Sequence, residues 1–243
     1  MSAASTPSRL GNPRLHLRCT DSTNDRARAL AAAGAPHGTL VTAGEQRAGR
    51  GRQGRTWSAP PGRALLASLV LREVPALLAI ASAVAVAEAV SPDAAIKWPN
   101  DILLAGRKVA GILAEGRHQE GWAVLGIGVN VAVREHDLPP QVAAAAAGLG
   151  LEPAAVEPTL AALLTALERR LAQEPAAVLE AFRERDALLG REVRWQHGRG
   201  IAAGIDGAGR LLVDCAGGVG MALDAGEVHL VSPGGGNVAF TSA

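Results

Sequence analysis

Arginine and glycine alternate in one short stretch of the chain, residues 45–57, which reads EQRAGRGRQGRTW. Glycine lets the backbone turn its N–H groups toward a bound anion, and arginine adds forked donors that suit a carboxylate or a phosphate. The chain as a whole is almost neutral, with a formal net charge of +1. This stretch, here called the arginine loop, therefore predicts a binding site for a small molecule that carries several negative charges.

The glycine spacing of the arginine loop also fits two phosphate-binding motifs. Residues 49–54 match the G-x-G-x-x-G of dinucleotide-binding folds, and together with the next two residues they come close to the P-loop pattern. Both motifs require a helix directly after the glycines, whereas this chain continues as WSAPPG and then as a predicted strand. A solvated surface loop and an arginine-glycine segment that binds RNA are two further alternatives. Composition weakens the RNA alternative, since two Phe, four Trp and no Tyr offer few rings to stack on bases.

A second cationic segment reads KWPND at residues 97–101 and RKVAGIL at residues 107–113. The turn-forming residues between its apolar runs predict a β-hairpin. Taken alone, its lysines are ordinary exposed strand residues and its Asn-Asp pair is ordinary turn chemistry. Together with the arginine loop, however, a second anion-binding segment favours a nucleotide as the ligand.

Length and composition limit the functions to consider. A chain of 243 residues with 48% hydrophobic content can bury a large core and predicts one large domain with a smaller one. Its two cysteines, Cys19 and Cys215, lie far apart without metal-ligand partners at a useful spacing, which favours a reducing, cytoplasmic compartment. The longest apolar run, residues 76–87, is too short and too rich in alanine to span a bilayer, and the N-terminus has no signal-peptide core. We therefore expect no membrane role.

Hydrophobic periodicity divides the chain into a part with helices and strands and a part with strands alone. Strands are predicted at residues 15–19, 39–42, 65–71, 95–98, 102–104, 109–114 and 122–131. Helices are predicted after a capping segment at residues 21–23, over residues 75–90, over residues 160–171 and from Pro175. Short strands broken by glycine turns, at residues 192–195, 200–205, 211–214 and 228–231, then predict a small β-barrel. We place the boundary between the two parts near Leu189.

Five motifs occur in the order found in bacterial biotin protein ligases, and the chain resembles that family. They are STN at residues 22–24, Gln46 with GRGRQGRTW at residues 49–57, KWPND at 97–101, KVAGIL at 108–113 and GIGVNV at 126–131. Residues 200–228 also resemble the family's small C-terminal domain. The resemblance implies an α+β fold: a mixed β-sheet catalytic domain flanked by helices, of the class II synthetase-like biotin/lipoate ligase type, with a small C-terminal SH3-like β-barrel.

The implied domain order is a disordered N-terminus over residues 1–14, a biotin- and ATP-binding catalytic domain over residues 15–189, the SH3-like domain over residues 190–233 and a flexible tail over residues 234–243. Two features depart from the family pattern. Residues 142–150 are nearly all alanine where the family carries small polar residues, so no role is assigned to them. Too few residues precede Ser22 for the winged helix-turn-helix of the regulatory members, so we expect the monofunctional form, without sequence-specific DNA binding.

The resemblance further implies an ATP-dependent biotin–[biotin carboxyl carrier protein] ligase that works in two steps. The biotin carboxylate attacks the α-phosphorus of Mg-ATP to give biotinoyl-5'-AMP, and a specific lysine of a carrier domain then accepts the biotin. ATP and Mg²⁺ are co-substrates and biotin is a substrate, with no tightly bound prosthetic group and no metal site in the protein. Because both reactants are anions, fixed cations and N–H donors are needed between them, which explains the arginine loop.

Site residues are implied by the same resemblance. The ureido head of biotin is expected at Ser22, Thr23, Asn24 and Gln46. Gly49, Arg50, Gly51 and Arg52 are expected to close over its carboxylate and the phosphate, and Gly111 and Gly128 to leave its pocket unobstructed. Lys108 is the expected catalytic cation at the reacting phosphate, with Arg52 as the second catalytic residue. Arg55, Trp57, Asn100 and Asn130 are assigned to the ATP side.

Two alternative functions stay open at this point. A lipoate- or octanoyl-type protein ligase shares the fold, although the arginine loop and the KWPND turn favour biotin. An arginine-rich RNA-binding protein is the alternative from a different class. The expected partner is the biotin carboxyl carrier domain of acetyl-CoA carboxylase or of a related carboxylase, and the sequence leaves monomer and weak homodimer both open.

Overall fold

The computed structural model describes residues 10–216, 220–224, 226 and 228–231, which form two β-sheets and the helices around them. The strands of the larger sheet are β1 Arg14–Leu17, β2 Leu40–Ala43, β3 Leu65–Leu71, β4 Ala95–Lys97, β5 Asp101–Leu104, β6 Arg107–Arg117 and β7 Trp122–Val129. The helices are α1 Thr23–Ala32, α2 Leu78–Val90, α3 Pro140–Ala143, α4 Val156–Leu171 and α5 Pro175–Arg183. The smaller sheet consists of β8 Glu192–Trp195, β9 Gly198–Ile205, β10 Leu211–Cys215, β11 Gly220–Leu223 and β12 His229–Leu230.

The larger sheet is mixed, with the strand order β1-β2-β3-β7-β6-β5-β4. Strands β1 and β2 pair in parallel, and every other pair in this sheet is antiparallel. The smaller sheet is antiparallel throughout, in the order β11-β10-β9-β8-β12. The middle three strands of the larger sheet are therefore β3, β7 and β6.

The two faces of the larger sheet are covered differently. On one face, α2 packs against β4, β5 and β6, α4 packs against β3, and the two helices pack against each other. The alanine- and valine-rich sequence of α2 is therefore buried on nearly every side. On the other face, α1 covers only one end, where its residues Ala27 and Ala31 pack against Val41, Val70 and Val124. The rest of that second face is left as the floor of a cleft.

Local signals fix the position of α1. The Ser22 side chain accepts a hydrogen bond from the backbone N–H of Asp25 at 3.4 Å, which caps the first turn. At the other end, the guanidinium of Arg72 donates to the carbonyl oxygens of Ala31 and Ala35, both at 2.8 Å. Arg72 follows β3 directly, so the helix is tied to the sheet at its C-terminus as well as packed on it.

The smaller sheet is attached to the hairpin that carries the KWPND segment. The indole Nε1 of Trp98 donates to the carbonyl oxygen of Gly209 at 2.9 Å. The backbone of Ile96 pairs with the segment before β8, accepting from Ala187 at 2.9 Å and donating to Arg185 at 2.7 Å. The C-terminal part is thus fixed to the edge of the larger sheet that leads into the cleft.

The α+β fold predicted from the sequence is confirmed, with a small antiparallel sheet domain in the place of the expected β-barrel. The helix expected from Pro75 begins at Leu78, after a turn in which the N–H of Leu78 donates to the carbonyl oxygen of Pro75 at 3.2 Å. The sequence analysis missed β11. Among the described residues, no helix is both long and apolar enough to cross a membrane.

The predicted domain limits remain a proposal. Residues 1–9, within the expected disordered start, and residues 234–243, the expected tail, lie outside the described residues. Ordered structure begins before the predicted residue 15, since Leu10 is buried and its N–H donates to Glu168 in α4 at 2.9 Å.

An ion-pair cluster between α2 and α4 gives a prediction about stability. Glu88 accepts hydrogen bonds from Arg169, at 2.6 Å, and from Arg170, and its side chain is 18% exposed. Burial would raise the pKa of Glu88, but the bond from Arg170 and the charges of both arginines outweigh it, so the pKa lies below its ordinary value of 4.5. The stabilisation is therefore complete above that ordinary value and is lost as the pH falls through the lower, folded-state pKa.

We expect Glu88→Gln to lower the free energy of unfolding by about 1 kcal/mol at neutral pH, measured by urea unfolding. The difference from the unsubstituted protein should shrink as the pH falls below the ordinary pKa of 4.5 and through the lower, folded-state pKa. Glu180→Gln, at an exposed position on α5, is the control and should stay within about 0.5 kcal/mol at every pH. A loss of the same size at neutral and acidic pH would contradict the ion-pair explanation.

Candidate functional site

The floor of the cleft is built from rows of residues in register across the central strands. Because side chains alternate between the two faces of a strand, residues in register on neighbouring strands share a face. One such row is Leu66, Gly128 and Gly111, across β3, β7 and β6. The next row is Ser68, Gly126 and Leu113. With glycine at half of these positions, much of the floor is bare backbone on which a bulky group can lie.

The indole ring of Trp57 lies over the first row, the one that contains Gly128 and Gly111. A Cβ atom on Gly128 would stand 2.5 Å from the indole ring, and one on Gly111 would stand 3.0 Å from it. The indole Nε1 is buried and has no hydrogen-bond partner in the part of the chain that the structure describes. Lys108 Nζ lies 5.6 Å from the ring centroid, within the range of a cation–π interaction. The space that Gly111 and Gly128 are predicted to leave unobstructed is thus covered by an indole with an unsatisfied N–H.

A chain of hydrogen bonds forms the polar end of the cleft. The backbone N–H and the hydroxyl of Thr23 lie 2.7 and 2.9 Å from Gln46 Oε1. Ser68 Oγ, which is fully buried, lies 2.8 Å from Thr23 Oγ1 and 2.6 Å from Asn24 Oδ1. Asn24 Nδ2 in turn donates to Glu115 Oε2 at 2.8 Å. These side chains offer several donors and acceptors within a small space, as recognition of a compact polar group requires.

Gly126 leaves space for the Asn24 side chain in this series of hydrogen bonds. A Cβ atom at Gly126 would stand 2.0 Å from Asn24 Oδ1, so only glycine lets the carboxamide rest on the sheet. Asn24 reaches this position because it lies in the first turn of α1, two residues after the capping residue Ser22. The STN motif is therefore the start of a helix that points its first polar side chains at the floor.

An irregularity in β6 brings Lys108 into the cleft. Asp101 is in register with Gly111, but Leu103 is in register with Lys108, so β6 contains one extra residue there. Without this bulge, strict alternation would place Lys108 on the opposite face from Gly111. With it, Lys108 Nζ lies 2.7 Å from Asp101 Oδ1, and each side chain is 14% exposed. The bulge therefore creates a half-buried ion pair beside the glycine row.

The alanine-rich segment after α3 pairs with the bulge. The N–H of Lys108 donates to the carbonyl oxygen of Ala145 at 2.8 Å, and the N–H of Ala147 donates to the carbonyl oxygen of Lys108 at 2.9 Å. Asn130 Nδ2 donates to the carbonyl oxygen of Ala147 at 3.1 Å. The residues to which the sequence analysis assigned no role thus support Lys108 through backbone bonds, which need no polar side chain.

Asn130 itself is an unusual residue at the end of β7. It is almost completely buried, and its Oδ1 has no hydrogen-bond partner among the described residues. A buried oxygen without a donor costs about 1–3 kcal/mol, so such atoms are rare in folded proteins. Asn130 therefore offers an unused acceptor near the cleft, directly after the strand that carries Gly126 and Gly128.

The arginine loop is a small hairpin that carries Trp57 back over the floor. The N–H of Gly51 donates to the carbonyl oxygen of Arg55 at 2.7 Å, and the N–H of Trp57 donates to that of Gly49 at 2.9 Å. Gln53, at the tip, has a φ of 55°, in the left-handed region. A Cβ atom on Gly49 would stand 2.2 Å from the Trp57 carbonyl oxygen. Glycine is thus required at the point where the two arms of the hairpin meet.

The two central arginines of the loop have different partners. Arg50 lies at the rim, with guanidinium nitrogens 2.9 Å from Asp25 Oδ1 and 3.5 Å from Glu115 Oε1. The hydrogen bond that Arg50 donates to Asp25 raises the pKa of Arg50 above its ordinary value. Arg50, which is expected to close over an anion, is therefore engaged by two carboxylates in this structure.

Arg52 points the other way, into the cleft. It donates to Asn100 Oδ1 at 2.8 Å and to the carbonyl oxygen of Gly226 at 3.2 Å. Burial lowers the pKa of Arg52 from its ordinary value, against the attraction of Asp101. Arg52 thus links the arginine loop to the KWPND turn and to the C-terminal part of the chain.

Positive charge accumulates where these segments meet. Burial lowers the pKa of Lys97 to about 8, and Lys108, Arg55 and Arg52 act in the same direction against Asp101. Burial also lowers the pKa of His229 in β12, as do the nearby Lys97, Arg55 and Arg194. A partly dehydrated space with several cations is unfavourable until an anion enters it, so this end of the cleft suits a ligand with more than one negative charge.

Most of the predicted site residues line one cleft. Those on its surface are Ser22, Thr23, Asn24, Gln46, Arg50, Gly51, Arg52, Arg55, Trp57, Asn100, Lys108, Gly111 and Gly128. Gly49 and Asn130 lie behind this lining, at the crossing of the loop and beside Ala147.

The structure adds five residues that the sequence analysis did not select: Ser68, Lys97, Asp101, Glu115 and Gly126. Lys97 and Asp101 belong to KWPND and Gly126 to GIGVNV, so the motifs contained a signal for them. Ser68 and Glu115 lie in apolar strands, where the polar residue type was the only signal.

Comparison with known proteins agrees with this geometry. Residues 16–131 match the model of the biotin/lipoate A/B protein ligase family, and residues 188–231 match the biotin protein ligase C-terminal domain. The chain belongs to the biotin/lipoate A/B protein ligase family. The first match contains the STN motif, the arginine loop, KWPND and GIGVNV, and it contains every predicted site residue.

Two relatives have names that describe them as ligases. Biotin–[acetyl-CoA-carboxylase] ligase of Paracoccus denitrificans is 47% identical over 131 residues, which are 48% of this chain and 53% of that protein. Bifunctional ligase/repressor BirA of Bacillus subtilis is 37% identical over 145 residues, 55% of this chain and 45% of that protein. The chain thus spans about half the length of the curated relatives it matches.

A solved structure extends the match to nearly the whole chain. Biotin protein ligase from Aquifex aeolicus, in complex with biotin and ATP, superposes with a TM-score of 0.77 at 26% identity. The superposition covers 90% of this chain and 99% of that one. It therefore includes both sheets and the cleft between the arginine loop and the KWPND turn.

The contact between Trp57 and the floor predicts the effect of a single methyl group. Gly128→Ala should push the indole off the glycine row, because the new Cβ would stand 2.5 Å from it. We expect Trp57 to become more accessible to acrylamide, measured by fluorescence quenching with the other three tryptophans replaced by phenylalanine. Gly207→Ala, where a Cβ meets nothing within 4 Å, is the control. Equal quenching of the two variants would show that the indole does not lie on Gly128.

Proposed function

We propose that the chain is a biotin protein ligase, which activates biotin with Mg-ATP as biotinoyl-5'-AMP and transfers it to a lysine of a biotin carboxyl carrier domain. The observation that carries this proposal is the arrangement of one cleft with two unlike ends. A neutral hydrogen-bonding network stands at one end and a group of cations at the other, with bare glycine backbone between them. Biotin has the same polarity, with a cyclic urea at one end and a carboxylate at the other.

In the first step, a carboxylate oxygen of biotin attacks the α-phosphorus of ATP and pyrophosphate leaves. Lys108 and Arg52 are the cations that would stabilise the charge on the reacting phosphate, since both side chains reach the cleft between the glycine row and the KWPND turn. Asp101 orients the Lys108 amine from 2.7 Å. Fixed cations in a partly dehydrated site stabilise such charge more effectively than water does.

In the second step, the amine of the carrier lysine attacks the acyl carbon of biotinoyl-5'-AMP, and AMP leaves. The protein need supply no covalent nucleophile for this, because the intermediate is a bound mixed anhydride and the acceptor brings its own amine. The work of the cleft is to hold the anhydride in position and to exclude water from it.

Trp57, Asn100, Asn130 and Arg55 are assigned to ATP. Trp57 must leave the glycine row for biotin to lie there, and its unsatisfied Nε1 lowers the cost of that movement. Asn130 Oδ1 is a buried acceptor that has no donor among the described residues, and an exocyclic amine of adenine would provide one. Mg²⁺ is assigned to the nucleotide phosphates, which it commonly binds together with one or two carboxylates.

A lipoate- or octanoyl-type ligase is the second candidate, since the matching family includes both substrate classes. The polar end of the cleft favours biotin over either acid. An apolar tail would leave the buried groups of Thr23, Asn24 and Ser68 without new partners, and a site built around such groups discriminates strongly against ligands that cannot pair with them. The RNA-binding alternative finds little support, because Arg50 and Arg52 already bind groups of the protein itself, Asp25 and Asn100.

The remaining expectations stay predictions: a carboxylase as the source of the carrier domain, a cytoplasmic location, no sequence-specific binding to DNA, and monomer or weak homodimer as the state in solution. Incubation with biotin, Mg-ATP and a purified carrier domain, followed by intact mass measurement, tests the function. We expect one biotin added per carrier domain, and none when biotin or ATP is omitted. Modification with lipoate but not with biotin would instead favour the second candidate.

Substitution of Lys108 tests its role in the first step. Lys108→Ala should reduce biotin-dependent exchange of pyrophosphate into ATP by roughly 100- to 1000-fold, because a cation is lost where phosphate charge develops. Biotin binding should stay measurable by calorimetry. Since Asp101 loses its partner in this variant, Lys108→Ala with Asp101→Asn is the matched control and should be equally inactive. Exchange at the original rate in either variant would contradict the assignment.

Substitution of Arg52 separates catalysis from retention of the intermediate. Arg52→Gly removes the bonds that close the arginine loop against Asn100 and Gly226, and adds a flexible residue to the hairpin. We expect the variant to make biotinoyl-5'-AMP still, but to release it faster, so that unrelated proteins become labelled on lysine. Streptavidin blots of a bystander protein incubated with each enzyme measure this. Equal and negligible bystander labelling, with normal carrier labelling, would show that the loop does not retain the intermediate.

A further inference from the structure

Glu115 is an acidic residue at a position in β6 whose neighbours in the sheet are apolar. It continues the face of β6 that carries Gly111 and Leu113, and it is in register with Val124, which is in register with Val70. Its neighbours in that row belong to the small apolar cluster under α1. An acidic side chain that is only 25% exposed beside such a cluster is unfavourable unless specific donors meet it.

Two donors meet the Glu115 carboxylate, and both belong to segments of the cleft. Asn24 Nδ2 donates to Oε2 at 2.8 Å, and an Arg50 guanidinium nitrogen lies 3.5 Å from Oε1. Glu115 therefore stands between the first turn of α1 and the arginine loop. Its contact with the polar end of the cleft is the bond from Asn24.

The bond to Glu115 decides which way the Asn24 carboxamide faces. An ionised carboxylate can only accept, so the NH₂ group of Asn24 must point at Glu115 and its Oδ1 must point at Ser68, 2.6 Å away. Ser68 has a single hydroxyl proton, and it uses that proton in the hydrogen bond that it donates to Asn24 Oδ1. In its 2.8 Å contact with Thr23, Ser68 is then left to accept, and the Thr23 hydroxyl proton has two acceptors within reach, Ser68 Oγ and Gln46 Oε1 at 2.9 Å.

This order of donors leaves a definite pattern for a ligand. Gln46 Oε1 keeps the backbone N–H of Thr23, at 2.7 Å, whatever the Thr23 hydroxyl does. The Thr23 oxygen retains acceptor capacity, and the second hydrogen of Asn24 Nδ2 remains as a donor; both residues line the cleft. A cyclic urea, with N–H donors and a carbonyl acceptor on one small ring, needs both kinds of group side by side.

We propose that Glu115 is a positioning residue for the cyclic urea: it fixes the donor and acceptor order of the chain Asn24–Ser68–Thr23, and through Arg50 it couples that order to the arginine loop. The proposal rests on the proposed function, since it assumes biotin as the ligand. With Glu115 removed, the carboxamide of Asn24 is free to turn over and present its oxygen where the urea needs a donor. The chemical step, at the other end of the cleft, does not depend on Glu115.

Steady-state pyrophosphate exchange with Glu115→Ala and Glu115→Gln tests this. We expect the KM for biotin to rise roughly tenfold or more in Glu115→Ala, with kcat and the KM for ATP within about twofold of the original values. Glu115→Gln keeps an acceptor for Asn24 but lets both amides turn, so its KM for biotin should lie between the two. Glu152→Gln, 76% exposed and far along the chain from the cleft motifs, is the control and should leave all three constants unchanged.

The possible results separate the two proposals. If the unsubstituted protein shows no biotin-dependent exchange, the proposed function fails and this inference fails with it. If that exchange is present but the KM for biotin is unchanged in Glu115→Ala, Glu115 is not a positioning residue. A fall in kcat together with equal rises in both KM values, or a recovery of the original KM on cooling below a lowered Tm, would assign Glu115 a structural role and also overturn the proposal.

Discussion

The ion pair between Lys108 and Asp101 depends on one extra residue in one strand. Regular alternation would turn Lys108 toward the helices α2 and α4, into the apolar core, where a lone ammonium group is very costly. The bulge in β6 turns it into the cleft instead, and the register on both sides of the bulge stays intact. The position of the cation at the glycine row, and with it the cationic end of the cleft, follows from this local defect in the sheet.

The bulge requires support, because the extra residue disturbs the ladder with β5. Backbone bonds from Ala145 and Ala147 supply it on one side, and the same alanine segment accepts the Asn130 side chain. A segment of small apolar residues suits this task, since side chains larger than alanine would have to fit between the bulge and the core. The cleft floor follows a similar rule: Gly126 accommodates the Asn24 carboxamide, and Gly111 and Gly128 accommodate a ring. Polar function at this site therefore rests on the absence of side chains at neighbouring positions.

The motifs predicted the cleft well and its internal contacts less well. Strand β3 and the STN cap were predictable because periodicity and capping are local signals, and most of the residues selected through the resemblance line one cleft. The bulge at Lys108 was not predictable, since it depends on a pairing with residues nearly forty positions later in the chain. For the same reason the role of the alanine segment was missed: its contribution is made by backbone atoms, which leave no signal in residue type.

Arg50 shows a different limit of prediction from sequence. Its spacing in the loop predicts an anion-binding donor, but the structure pairs it with Asp25 and Glu115, which come from elements that are distant in sequence. Charge type is readable from sequence, whereas the choice of partner depends on how α1 and β6 meet. Exchange of labelled pyrophosphate into ATP is the measurement that tests the central claim most directly, because it reports adenylate formation without requiring a carrier domain. The two-ended cleft predicts exchange that depends strictly on biotin and is negligible with octanoate or lipoate; exchange driven by either of those acids, or none with biotin, would contradict it.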